Sequence, residues 1–426
     1  MNLLVTNTRN AQAYAIIRAL RPYANKIVAT MEGDNRFFDW FSHAAHSCLV
    51  DKRYFTPSPA ADWRAGRIQK ENTEKEKRYV QALLRICEDE KIDTIFPSYD
   101  PHVYVLSKNK ESFKKLGILI PVPDFDVVIT PLDKYRTVKA AEEVGFPCPK
   151  TRLPESEDDL ERIANEIGFP LLIKPRFTAS GRGTTAVRDF SELAETTRLI
   201  IKNYGMPLLQ EFIPGDQGDY ITLLLDQKGE LKMVYQKRFL VYFRRGTFAK
   251  YRESITPTDY GIQASRLLKD LGWWGSSQVE VKIDARDNTP KLMEINPRFG
   301  SGLMEIVVLG INAPWMCLKV ARGEEVKSVL NYPVAVHLRP VEDALLLILQ
   351  LSGLVISKYQ TVVRGKLLFD PFNAPTTFKE LVWWYKGIYT NKKEKVFDFT
   401  FKDFFQDPLV SVIAWCQFVA RVLQSV

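Results

Sequence analysis

The chain lacks most of the features that would sort it quickly into a class. Its five cysteines (Cys48, Cys87, Cys148, Cys317 and Cys416) are odd in number, scattered and without CxxC spacing. That excludes a disulfide scaffold and fits a reducing, cytoplasmic compartment. His43 and His46 stand near Cys48 but have no second ligand cluster, so a structural zinc would be incomplete. The apolar stretches 344–356 and 408–420 both fall short of the roughly 20 residues that a membrane-spanning helix needs. No signal peptide is read at the start, because Met1 leads into a short apolar strand and then Arg9. There is no GxxxxGK[ST] phosphate loop, no HRDxxxxN kinase loop, no internal repeat and no low-complexity tract. The net charge of +8 is dispersed. It suits acidic small ligands such as nucleotides or carboxylates and argues against a nucleic-acid face.

What is present is enough chain, 426 residues, for two or three domains. Residues 1–125 alternate short strands (3–5, 26–30, 94–97, 118–121) with helices (10–21, 76–90), the pattern of a doubly wound parallel α/β unit. Its first turn, TNTRNA, has no glycine, so a dinucleotide fingerprint is absent. Arg9 and the Ser98-Tyr99-Asp100 triplet fall where such strands end, the usual ligand edge, although each alone reads as an ordinary turn residue. Residues 51–75 read as a polar surface loop.

The most informative stretch is 278–302, QVEVKIDARDNTPKLMEINPRFGSG. Val279, Val281 and Ile283 alternate with Glu280 and Lys282, Asp287-Asn288 and Pro290 mark a turn, and 292–295 form a return strand. A hairpin places Glu280 and Glu294 on one side, with Asn296 and Arg298 following in the same alternation. Facing carboxylates are costly unless a cation neutralises them, and Mg²⁺ favours oxygen ligands together with substrate phosphates. On these residues alone, a metal site and a solvated surface hairpin read equally well.

Other stretches point the same way. Thr130-Pro131-Leu132-Asp133 predicts a helix start, with Thr130 as cap and Gly145 as stop. Lys134 then sits in the first turn, where the helix dipole disfavours a cation unless a phosphate is near. Leu171-Leu172-Ile173 predicts a buried strand ending in Lys174, which must snorkel or meet an anion. The loop RFTASGRGTTAV follows, its small residues open to phosphate oxygens. Gly181, Gly183 and Ala186 fit GxGxxG/A, but 184–187 reads as a strand and the helix begins only at Ser191, which excludes a dinucleotide turn. Residues 208–213 predict a strand. Residues 220–225 and 231–237 predict a hairpin, after which Arg238, Arg244, Arg245 and Arg252 read as a polar loop or an anion contact.

In this order, DK, LLIKP, the glycine loop, QEFIPG and EINPR resemble the ATP-grasp superfamily, in its carbamoyl-phosphate-synthetase and biotin-carboxylase-like branch, over roughly residues 1–335. The resemblance implies a Rossmann-like domain at 1–125 and an ATP-grasp nucleotide-binding and catalytic domain at 126–330, an N-terminal doubly wound α/β unit followed by the ATP-grasp fold; residues 331–426, which it does not cover, read as a C-terminal α/β extension without an assigned role. It implies ATP as substrate and one or two Mg²⁺ ions, with Mn²⁺ as the alternative, held by Glu280, Glu294 and Asn296. Lys134 and Lys174 would meet the α- and β-phosphates, and the loop of Ser180, Gly181 and Gly183 would cover them. Glu211, Phe212 and Ile213 would lie along the adenine, and Asp219 would take the ribose. Arg298 would stabilise an acyl phosphate, with Lys174 assisting. The implied activity is ATP-dependent joining of a small-molecule carboxylate to an amine, with release of ADP and phosphate. A bicarbonate-using carboxylase and a non-catalytic ATP-binding regulator are the alternatives. Residues 331–426, with Trp383, Trp384, Trp415 and the NKKEK run, read as core or dimer contact ahead of a membrane-surface contact.

Overall fold

The computed structural model describes residues 1–32, 42–59, 71–178, 181–215, 217–243, 248–338, 394–397, 406–408, 410 and 412–413. The amino-terminal unit runs β1 (Asn2–Val5), α1 (Ala11–Leu20), β2 (Lys26–Glu32), β3 (Lys52–Thr56), α2 (Glu74–Glu90), β4 (Thr94–Phe96), α3 (Asp100–Lys108) and α4 (Lys110–Lys114). Its four strands are parallel, in the order β3-β2-β1-β4. Chain order reverses between β1 and β4, the switch point at whose carboxyl ends ligands collect in open α/β sheets. Thr6, Asn7, Ser98 and Asp100 stand there.

Two expectations change in this unit. Residues 52–56 form an edge strand, not a loop; its Lys52, Arg53 and Phe55 are exposed, so it carries little apolar pattern. The expected strand at 118–121 is reduced to a single bridge, Thr94 to Leu119.

Next come α5 (Phe125–Leu132), α6 (Lys134–Glu143), β5 (Thr151–Arg152), α7 (Leu160–Ile167), β6 (Leu171–Lys174), β7 (Thr185–Val187), α8 (Phe190–Tyr204) and β8 (Leu208–Glu211). The four strands make a small antiparallel sheet ordered β5-β8-β6-β7. The helix predicted from Thr130 starts later. Thr130 and Pro131 close α5, and Asp133 caps α6 by accepting from the Tyr135 amide at 3.0 Å. Asp133 therefore plays the capping role expected of Thr130. Likewise Asp189, not Ser191, caps α8.

The large sheet takes β9 (Gly218–Leu225), β10 (Leu231–Phe243), β11 (Phe248–Ile255), α9 (Asp259–Asp270), β12 (Gly275–Ile283), β13 (Pro290–Asn296), α10 (Leu303–Val308), α11 (Ala313–Ala321), β14 (Val336–Leu338) and β15 (Lys395–Phe397). Its order is β13-β12-β9-β10-β11-β14-β15. Arg238 and Arg252 lie on paired strands, not in a loop, and buried Arg252 bonds Glu305 at 2.9 Å. Arg244 and Arg245 lie outside the described residues, as do Trp383, Trp384, Trp415 and most of 331–426. One apolar core runs from Leu4 and Ile95 of the first sheet to Ile221 and Val279 of the large one. The first sheet's carboxyl edge is thereby fixed beside the β12–β13 hairpin.

Candidate active site

The hairpin forms in the expected register: Glu280 lies directly opposite Glu294, and Gln278 opposite Asn296. Directly opposed residues share a face, so the two carboxylates meet. Asn296 Nδ2 donates to Glu280 Oε1 at 3.0 Å. Burial, and then the charge of Glu294, pushes the Glu280 carboxyl well above the usual carboxylate range. The hairpin thus brings together two carboxyl groups that cannot both ionise readily without a cation beside them.

Two lysines answer this pair, one from a helix start and one from the end of a strand of the small sheet. Lys134, the first residue of α6, places Nζ 3.9 Å from Glu294 Oε2 and donates to the Thr178 carbonyl. Lys174 ends β6, is 8 % exposed, and donates to Gln210 Oε1 at 2.9 Å. Burial, with the nearby charge of Lys134, lowers Lys174 to about 8. Asp100, Leu132, Lys134, Thr178, Glu294 and Asn296 line a single cleft between these elements.

Arg298 closes one end. Its Nη2 donates to Asn296 Oδ1 at 3.1 Å and to Asp100 Oδ2 at 2.9 Å, while Nε lies 2.9 Å from Asp100 Oδ1. The ligand edge of the first sheet therefore reaches the hairpin through Asp100, which is 2 % exposed.

The glycine loop lies between β6 and β7 as expected. Gly181 and Gly183 both have positive φ, 66° and 74°. A Cβ on Gly183 would come within 2.7 Å of Pro175 Cγ and 2.8 Å of Tyr204 Cε2, so only glycine fits. Ser180 lies outside the described residues. Glu211 ends β8, but its carboxylate is engaged by Arg286 and by the Lys150 amide at 3.1 Å. Phe212 carries Lys282 Nζ 5.4 Å from its ring centroid, and Ile213 is buried.

Asp219 is a correction. It is 0 % exposed and bonded to Arg238 (2.9 Å), Gln236 (2.8 Å) and Tyr260. Its register neighbour Val281 points away from the Glu280 face. Both oxygens are engaged inside the sheet, where a ribose contact was expected. Three residues that the sequence did not single out join the site: Gln210, Thr178 and Arg176. The position of Arg176, two residues past Lys174, was the available signal.

A family model described as an ATP-grasp domain matches residues 132–302, and one described as a PylC-like N-terminal domain matches residues 59–121. A D-alanine–D-alanine ligase from Nitrosospira multiformis is 28 % identical over 194 residues, 43 % of this chain and 61 % of that one. The chain thus spans under two thirds of that relative. A carbamoyl phosphate synthase large chain from Halomonas eurihalina is 24 % identical over 266 residues, 59 % of this chain and 25 % of that one. Biotin carboxylase from Campylobacter jejuni, solved as a β-γ-ATP complex, superposes with a TM-score of 0.62 at 16 % identity, over 79 % of this chain and 74 % of that one; at that identity the likeness speaks for the fold alone. Residues 132–302 are thus similar to an ATP-grasp domain, behind a stretch similar to a PylC-like N-terminal domain.

Proposed function

We propose that the protein is an ATP-dependent carboxylate–amine ligase. The observation that carries this reading is the Glu280–Glu294 pair set close to two lysines: Lys134 and Glu294 line one cleft, and the charges of both carboxylates act on the buried Lys174. Nucleotide phosphates supply the anion that the lysines lack. A divalent cation supplies the positive charge that the carboxylates lack.

Glu280, Glu294 and Asn296 are an all-oxygen donor set that fits Mg²⁺, with Mn²⁺ as its substitute. When bound there, Mg²⁺ offsets charge on the phosphate oxygens. Lys134 and Lys174 hold the α- and β-phosphates, and the amides of the loop at Gly181 and Gly183 cover the remainder. The backbone at Glu211, Phe212 and Ile213 borders the adenine. The substrate carboxylate attacks the γ-phosphorus and the bond to the bridging oxygen breaks, giving ADP and an acyl phosphate. The amine then attacks the acyl carbon, phosphate leaves, and the surplus amine proton goes to solvent. Arg298 stabilises the developing oxyanion. Positioning and charge do this work without a protein nucleophile. The four described cysteines, Cys48, Cys87, Cys148 and Cys317, are all free, which supports a cytoplasmic setting.

The test is ADP release by the full chain with Mg²⁺-ATP against small carboxylic acids, amino acids and amines, singly and in pairs, with a bicarbonate arm. The ligase reading expects stimulation that needs a pair. Stimulation by bicarbonate alone supports the carboxylase alternative. AMP release overturns both.

A further inference from the structure

We propose that Arg176 is a positioning residue for Lys134, locking the phosphate-binding lysine to the root of the glycine loop. The proposal rests on the reading of Lys134 as a phosphate contact. Arg176 follows β6 by two residues and reaches across to the start of α6. Its Nε donates to Asp133 Oδ1 at 2.7 Å, and its Nη2 donates to Asp133 Oδ2 at 2.6 Å. Asp133 is 1 % exposed and caps α6 through the same Oδ1. The Arg176 carbonyl accepts from the Lys134 amide at 3.3 Å. Its guanidinium also lies over the rings of Phe177, at 5.1 Å, and Tyr135, at 5.9 Å. Arg176 therefore holds the residues on both sides of Lys134 as well as the Lys134 backbone itself.

The physical reason lies in charge and geometry. Lys134 begins a helix, at the end whose dipole repels a cation. Asp133 is the anion in that turn, and Arg136 approaches it as well, at 3.4 Å. A two-point guanidinium fork fixes the plane of the carboxylate as no single-point cation does. The fixed carboxylate sets the cap, and the cap sets the direction in which the Lys134 side chain leaves the helix. Thr178, two residues beyond Arg176, supplies the carbonyl to which Lys134 Nζ donates. Lysine and loop root are thus one built unit, and losing the fork misaims the lysine without removing it.

The experiment is calorimetric Mg²⁺-ATP affinity of the full chain for wild type, Arg176→Ala, Arg176→Lys, Lys134→Ala and the Arg176→Ala/Lys134→Ala double variant, with the melting temperature of each measured without nucleotide. Arg176→Ala should weaken Mg²⁺-ATP binding about tenfold, the scale of a lost supporting contact. Arg176→Lys, which offers one contact in place of two, should recover only part of it. The double variant should bind no more weakly than Lys134→Ala alone, because the effect passes through that lysine. Arg176→Ala within twofold of wild type, or losses that multiply in the double variant, would overturn the proposal. If Arg176→Ala does not fold, Asp133→Asn takes its place in the cycle, since it weakens the fork yet keeps an oxygen for the cap. Wild-type affinity in Lys134→Ala would overturn the phosphate role of Lys134, and this proposal with it.

Discussion

Asp219 and Glu280 sit on adjacent strands of one sheet, Asp219 buried and Glu280 half-buried, and their surroundings differ completely. Asp219 is matched by Arg238, Gln236 and Tyr260. Glu280 faces another carboxylate, Glu294, and accepts a hydrogen bond from the side-chain amide of Asn296. A matched buried carboxylate is part of the framework. A mismatched pair is a site, since folding alone gives no reason to bring two like charges together. The ribose role expected of Asp219 would need oxygens that Arg238, Gln236 and Tyr260 already engage.

The comparison can be broken at several points. The largest effect is expected at the mismatched end. Glu294→Ala or Arg298→Ala should cut turnover on the order of 10²- to 10³-fold, the scale of a lost transition-state contact; the melting temperature stays near wild type in Glu294→Ala and falls in Arg298→Ala, which leaves buried Asp100 without its partner. Turnover near wild type would remove these residues from the chemistry. At the matched end the pattern reverses. Asp219→Ala leaves Arg238 and Tyr260 without their acceptor and should cost about 3 kcal/mol in urea unfolding, with Mg²⁺-ATP affinity unchanged in the folded protein. A stable Asp219→Ala variant that binds ATP poorly would invert the comparison.

Lys174 sharpens it through pH. Burial and Lys134 hold its folded value at about 8. Above that pH the free protein carries Lys174 neutral, so phosphate binding must take up a proton. Mg²⁺-ATP affinity should fall by up to about tenfold per pH unit above 8. Calorimetry in buffers of different ionisation heat should register the uptake, and Lys174→Arg should abolish it. The smallest effect is a gain. Glu280→Gln relieves the facing charges and should stabilise the metal-free protein by about 1 kcal/mol while weakening Mg²⁺-dependent binding. A loss of stability would mean that the pair is matched after all.

The mismatch was legible in the sequence because it depends on local rules. Period-two alternation and a polar turn set the register of β12 and β13, and the register sets Glu280 against Glu294. Lys174 was legible as a lysine closing an apolar strand. The matched network was not, because the partners of Asp219 lie 17 to 41 residues further along the chain. The Asp100–Arg298 ion pair spans 198 residues and two sheets. Its acidic half was visible as a strand-end residue, but its partner was not. The start of α6 was misread because Thr130-Pro131 imitates a cap followed by a first-turn proline, whereas Pro131 falls in the last turn of α5 and Asp133 caps the next helix. β3 was missed because an edge strand needs no apolar alternation.

The central claim is that the facing carboxylates, and not the matched one, hold the divalent cation that accompanies the nucleotide. The direct measurement is Mn²⁺ binding in the presence of ATP, followed by electron paramagnetic resonance, in wild type, Glu294→Ala and Asp219→Asn. The account predicts a protein-bound Mn²⁺–ATP signal in wild type and Asp219→Asn that is lost in Glu294→Ala. A signal that persists in Glu294→Ala, or disappears in a folded Asp219→Asn protein, would contradict it.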